Sequence, residues 1–170
     1  MERPRWVLLV YRLPREPSRH RVAVWRKLRD LGSLYLQDGV AALPEDAVTR
    51  EQMEWLQLRV TEAGGEATLW EGRPGTVAEE VELVEAFRSS REEAYRAIIA
   101  GAERLQRKAQ MGASVLEQLG KLEREFRAER RRDYFRSPLR GEAAGALKAA
   151  REAARVSEGS ARAFGTEGRT

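Results

Sequence analysis

Cysteine is absent and His20 is the single histidine of the chain. Disulfides, a thiol nucleophile, thiolate-held metals and a multi-histidine zinc centre are therefore excluded. No glycine-rich nucleotide loop and no Gly-x-Ser-x-Gly elbow occurs, and no acid–base pair stands out, so the sequence predicts no enzyme and no cofactor. The side chain with chemistry to offer is arginine. It makes up 27 of the 31 basic residues, and its planar fork suits bidentate pairing with carboxylate or phosphate. One basic group surrounds the first predicted helix, with Arg12 and Arg15 before it and Arg19, Arg26, Lys27 and Arg29 on its polar face. The densest cluster is Arg130-Arg131-Arg132. Arg15, Arg19, Arg26, Lys27, Arg130 and Arg131 are the candidate phosphate contacts. The alternative for the first group is pairing with Glu51, Glu54 and Glu62 of an acidic second helix. For the second it is a helix C-terminus favouring cations.

The elements that must carry these groups follow from the charge and apolar patterns. Residues 1–31 hold nine basic and three acidic side chains, 32–86 three and twelve, 87–141 fourteen and eight, and 142–170 five and four. Trp6-Val-Leu-Leu-Val-Tyr11 is a continuous apolar run that predicts a buried strand. It is far short of the roughly 20 residues of a membrane span, and a cytoplasmic protein is expected. Ser18 is a candidate N-cap for a helix on which Val22, Val24, Trp25, Leu28 and Leu31 recur at helical spacing, and Gly32 ends it. Asp38-Gly39 between two short apolar runs signals a hairpin. A second amphipathic helix spans 46–63, and Glu66 to Glu71 makes a last strand. This β-α-β-β-α-β order predicts an α+β protein whose residues 1–73 form a ferredoxin-like domain. The four tryptophans, Trp6, Trp25, Trp55 and Trp70, are expected in its core or at its edge.

After Gly72-Arg73-Pro74-Gly75 the apolar period becomes helical. At least two helices are predicted over 76–132, with the break at Gly112 and an antiparallel hairpin as their arrangement, and a further helix follows Ser137-Pro138 over about 139–155. Residues 76–155 are thus a helical extension. Residues 156–170, rich in Gly, Ser and Thr, are expected to be a disordered tail.

Two blocks of residues carry a family resemblance. The first is Trp6-Val-Leu-Leu-Val-Tyr-Arg-Leu-Pro14, then Arg21-Val-x-Val-Trp25-Arg-x-Leu28, then Leu36-Gln-Asp38-Gly39-Val40 to Leu43-Pro44. The second is Phe87-x-x-x-Arg91-x-x-x-Tyr95 with Arg132-Asp133-Tyr134-Phe135. Together, over roughly residues 5–155, they resemble the N-terminal domain of the chromate-resistance regulators called ChrB. The first block is also similar to the ferredoxin-like domain of PaaX-type repressors and of the small CRISPR spacer-acquisition nuclease subunit. The resemblance implies a bacterial, DNA-linked transcriptional regulator with duplex DNA as partner and chromate as effector, and its Arg132-Asp133-Tyr134-Phe135 match implies a structural lock in which Asp133 pairs with an arginine and Tyr134 and Phe135 pack into the helical layer. The nuclease relatives carry an acidic metal ligand at the end of the first strand, where this chain has Tyr11-Arg12-Leu13, so metal-dependent cleavage is not expected. The reading from another class is a structural or protein-interaction module, a homo-oligomer formed through the ferredoxin-like edge or the helical hairpin.

Overall fold

The computed structural model describes residues 3–165. The elements run β1 (Trp6–Arg12), α1 (Ser18–Leu31), β2 (Leu34–Gln37), β3 (Val40–Pro44), α2 (Ala47–Glu62), β4 (Glu66–Gly72), α3 (Val77–Gln110), α4 (Leu116–Arg132) and α5 (Leu139–Gly165). The protein is thus mixed α+β, with a four-stranded sheet of order β2-β3-β1-β4 whose neighbours are all antiparallel. Two compact units divide between Ala86 and Phe87, inside α3 and further along than the Gly72–Gly75 segment expected as the boundary.

In the first unit, alternation along β1 sends Val7 and Leu9, both almost fully buried, to one face. That face meets α2, on which Met53, Leu56 and Val60 are buried, and α1 packs against α2 with its own Val24 and Leu28 buried. Gln57 on α2 donates to the Ala67 carbonyl of β4 at 3.1 Å, tying helix to edge strand. The turn between β2 and β3 places Gly39 at φ +73°. A Cβ there would sit 2.4 Å from the Tyr11 carbonyl oxygen, and the Gly39 carbonyl accepts from the Tyr11 N–H at 2.8 Å. Glycine is required twice over, by dihedral and by space. Asp46 caps α2 through a reciprocal box with Thr49, at 2.7 and 2.9 Å. The first helix differs from expectation at its start. Pro17, not Ser18, is the N-cap residue, and the Ser18 N–H donates to the Glu16 carboxylate at 3.3 Å.

The opposite sheet face is only partly covered. The start of α3 lies over its Trp6 end, where Arg3 pairs with the buried Glu80 at 2.8 Å. Trp6, Leu8, Leu36, Ala42 and Leu83 line a cavity of about 450 Å³ there. These contacts explain why the first turns of α3 belong to this unit.

In the second unit, α3, α4 and α5 share a core of Tyr95, Ile98, Ala102, Leu105, Leu119, Leu147 and Ala150. Gly112, at φ +83°, ends the first of these helices, at the break the sequence predicts. The tail expectation is corrected: α5 continues through Gly165, so residues 156–165 are helical. Ala161, Arg162 and Ala163 are strong helix formers with no proline among them, and extending a nucleated helix costs far less than starting one. Residues 166–170 of the expected tail lie outside the described residues.

Candidate nucleic-acid interface

The outward face of α1 is set by its inward one. Val24 and Leu28 are buried, while Val22, expected on the same apolar stripe, is exposed, and a 100° advance per residue sends Arg19, Arg26 and Arg29 to the far side. Arg15, Arg19 and Arg26 are exposed, and among the described residues they have no carboxylate partner. The pairing with Glu51, Glu54 and Glu62 does not form. Glu62 is held by Arg59 within its own helix at 4.0 Å, and what joins the two helices instead is cation–π contact. Lys27 is half-buried with its ammonium 5.7 Å from the Trp55 ring centre, and the Arg59 guanidinium lies over the same ring at 4.9 Å. Lys27 is therefore turned away from the Arg19 and Arg26 face on which a phosphate contact was expected.

The tryptophan expectation is corrected by the same geometry. Trp6 is buried, but Trp25 (45%), Trp55 (46%) and Trp70 (62%) are substantially exposed. Arg29 covers Trp25 at 4.7 Å, and the Trp70 indole N–H donates to the Thr68 hydroxyl at 3.0 Å. An amphipathic indole can lie flat on a surface when a cation covers its face and a hydroxyl takes its N–H. Of the motif residues in the first unit, Asp38 and Gly39 form the hairpin turn, while Arg21 and Trp25 lie exposed on α1.

In the second unit the motif residues converge. The Tyr95 hydroxyl donates to Asp133 Oδ2 at 3.0 Å, and the Ser137 N–H donates to Oδ1 at 2.8 Å. These two donors stand where an arginine partner was expected, because the chain reverses direction here. Arg136, at φ +52°, turns the backbone so that Ser137 faces back onto Asp133. Both Tyr95 and Asp133 are buried. Burial pushes the Tyr95 phenol well above its ordinary range, and the hydrogen bond to Asp133 adds to the shift. Phe87 stands edge-on to Phe135, at 5.6 Å between centres, and to Tyr134 at 6.4 Å. Arg88 donates to the Phe135 carbonyl at 3.2 Å. One residue that sequence reasoning missed completes the brace: Glu129 accepts from Arg91 at 3.0 Å and from Arg132 at 3.1 Å. Its spacing three residues before Arg132 on a helix was the available signal.

The brace sorts the arginine cluster. Arg132 is turned inward to Glu129, while Arg130 and Arg131 remain exposed at the C-terminal end of α4, where the helix dipole favours cations. Among the described residues, no group of three or more His, Asp or Glu side chains could hold a metal ion, and no helix is long and apolar enough to cross a membrane. The arrangement can hold cations rigidly at a surface.

A family model described as Protein ChrB, N-terminal, matches residues 21–169. The match begins inside α1, later than the resemblance read from residue 5, and it continues past residue 155 through the end of α5. No curated protein and no solved structure matches the chain.

Proposed function

The chain belongs to the ChrB N-terminal family, and from that premise we propose that it is a DNA-associated, non-enzymatic regulator of chromate resistance. The observation that carries this reading is the set of exposed arginines left without carboxylates in a chain that pairs many of its other arginines. Arg5 and Arg50 share Glu45 and Glu71, and Arg3, Arg12, Arg91, Arg96 and Arg151 each have an acidic partner. Arg15, Arg19, Arg26, Arg130 and Arg131 are exposed without one among the described residues. Such groups position a phosphate backbone and carry little sequence information themselves. The sheet order β2-β3-β1-β4, with α2 packed on β1 and β4 and α1 packed beside α2, supports a ferredoxin-like first unit as the platform.

The test is a fluorescence titration with duplex DNA from upstream of the gene, at about 50 and 200 mM salt, with and without chromate. Binding that weakens with salt and is released by chromate is expected. No duplex binding at the lower salt refutes the reading. Incubation of purified protein with Mg²⁺ or Mn²⁺ and nucleic acid is expected to give no cleavage, since Tyr11-Arg12-Leu13 ends β1 without a carboxylate.

A second reading, oligomerisation through the sheet, is favoured by Val10, Leu36 and Trp70. They lie exposed on or beside the partly covered sheet face. A concentration-independent monomer mass in sedimentation would exclude it.

A further inference from the structure

We infer that the principal polyanion-binding element is the outer stripe of α4, formed by Arg124, Arg127 and Arg131, and that its partner is the phosphate backbone of duplex DNA. The inference rests on the DNA-associated reading above and relocates its main contact from α1 to the helical unit.

The division between the units separates charge as well as structure. Residues 1–86 carry 12 basic and 15 acidic side chains, a net of −3, whereas residues 87–170 carry 19 and 12, a net of +7. A polyanion is drawn to the second unit and repelled on average by the first.

Within the second unit, α4 reads as mixed charge, Lys121-Leu-Glu-Arg-Glu-Phe-Arg-Ala-Glu-Arg-Arg-Arg132. Folding sorts it. Glu123 is taken by Arg151 at 2.7 Å from the neighbouring helix, and Glu129 by Arg91 and Arg132. Their side chains are only 20% and 15% exposed. Glu125 faces a shallow groove it shares with Arg104, Lys108 and Lys121. With these acids drawn aside, Arg124, Arg127 and Arg131 recur at i, i+3 and i+7 on one exposed stripe. Among the described residues none of the three has an ion-pair partner. They span about 10 Å along the helix. The inner face of α4 is anchored by Leu119, Leu122 and Phe126 in the core, so the stripe is presented by a packed helix rather than a loop. Leu116, at the first turn, is the one exposed large apolar side chain on α4 among the described residues, well away from the stripe. An apolar protein partner would find little to bury there, whereas a repeating line of phosphates meets a cation about every helical turn.

The test compares the full chain with three variants by anisotropy of a labelled random-sequence duplex. These are the triple Arg124→Gln, Arg127→Gln, Arg131→Gln, the same triple to lysine, and the double Arg19→Gln, Arg26→Gln. Each phosphate contact contributes about 0.9 to the log K against log salt slope, so the glutamine triple should flatten it by about 2.7 and weaken binding near 100 mM salt by about 10²-fold or more. The lysine triple should keep the wild-type slope, and the α1 double should lose less than the glutamine triple. Should circular dichroism show the glutamine triple unfolded, single variants decide, each flattening the slope by about 0.9. If the wild type binds duplex and the glutamine triple keeps its full slope, the stripe is not the contact, while the DNA-associated reading stands. If the wild type binds no duplex, both fall. Preferential binding of single-stranded RNA through the same arginines overturns the duplex assignment.

Discussion

Replacing Tyr95 by phenylalanine removes one oxygen from the centre of the helical unit and leaves the ring, which is fully buried, in place. The volume change is small and the packing against Phe126, at 6.0 Å between ring centres, is kept. What is lost is the hydroxyl that donates to Asp133 at 3.0 Å. Asp133 is 6% exposed, so water cannot readily replace it, and the Ser137 N–H remains as donor to the other oxygen. Hydrogen bonds to a charged group contribute about 1.5–3 kcal/mol, and a value in that range is expected for Tyr95→Phe. The assay is urea unfolding, with the midpoint moving and the slope m unchanged. A double-mutant cycle with Asp133→Ala should return a coupling energy above about 1 kcal/mol, since the residues are in direct contact. The pH dependence gives an independent arm. Burial raises the folded-state pKa of Tyr95 above its unfolded value near 10, so its stabilisation is complete below about pH 10 and is lost as pH rises beyond. Wild-type stability should fall on the alkaline side more steeply than that of Tyr95→Phe. A phenylalanine variant within about 0.5 kcal/mol of wild type, or a coupling near zero, would refute the buried brace.

Four further outcomes follow, from the first unit, the helix break and the arginine cluster of α4. Glu71 is held below the usual carboxylate range by Arg50, with Arg5 adding to it, so its contribution is present above about pH 4.5 and lost as pH falls. Glu71→Gln should flatten the acid limb of a stability–pH curve measured by thermal unfolding. Gly39→Ala meets both a left-handed dihedral and the Tyr11 carbonyl, and it should cost clearly more than the roughly 1–2 kcal/mol of the dihedral alone. Gly112→Ala, with the same sign of φ but open space around it, should cost only that dihedral penalty, and urea midpoints of the pair read the difference. Removing the acid that aligns the cluster, Glu129→Gln, should destabilise the helical unit, because Arg91 and Arg132 lose their shared partner; an unchanged urea midpoint would show the ion triad to be idle.

Much of the element order was determined by the sequence alone, because local physics specifies it. An unbroken apolar run makes β1, Asp38-Gly39 makes a tight turn, and Gly112, at a left-handed φ, ends a helix. The convergence of Tyr95 and Asp133 was only half legible. The motif marked both residues, but that Asp133 takes its donors from Tyr95 and Ser137 depends on the turn at Arg136, which no spacing rule supplies. The exposure of Trp25 and Trp55 was decided by tertiary structure, since an indole on an amphipathic helix can lie inward or be covered by a neighbouring cation, and that of Trp70 by the partly covered sheet face on which β4 places it. The same holds for the charges of α4. In sequence its glutamates and arginines alternate and read as mutually neutralising. Arg151 lies 28 residues and Arg91 38 residues from the glutamates they draw aside, and only those long-range pairings leave the outer arginines unmatched. Hydrophobic period and turn chemistry act over a few residues and can be read along the chain, whereas which charges remain uncompensated depends on partners that only folding brings together.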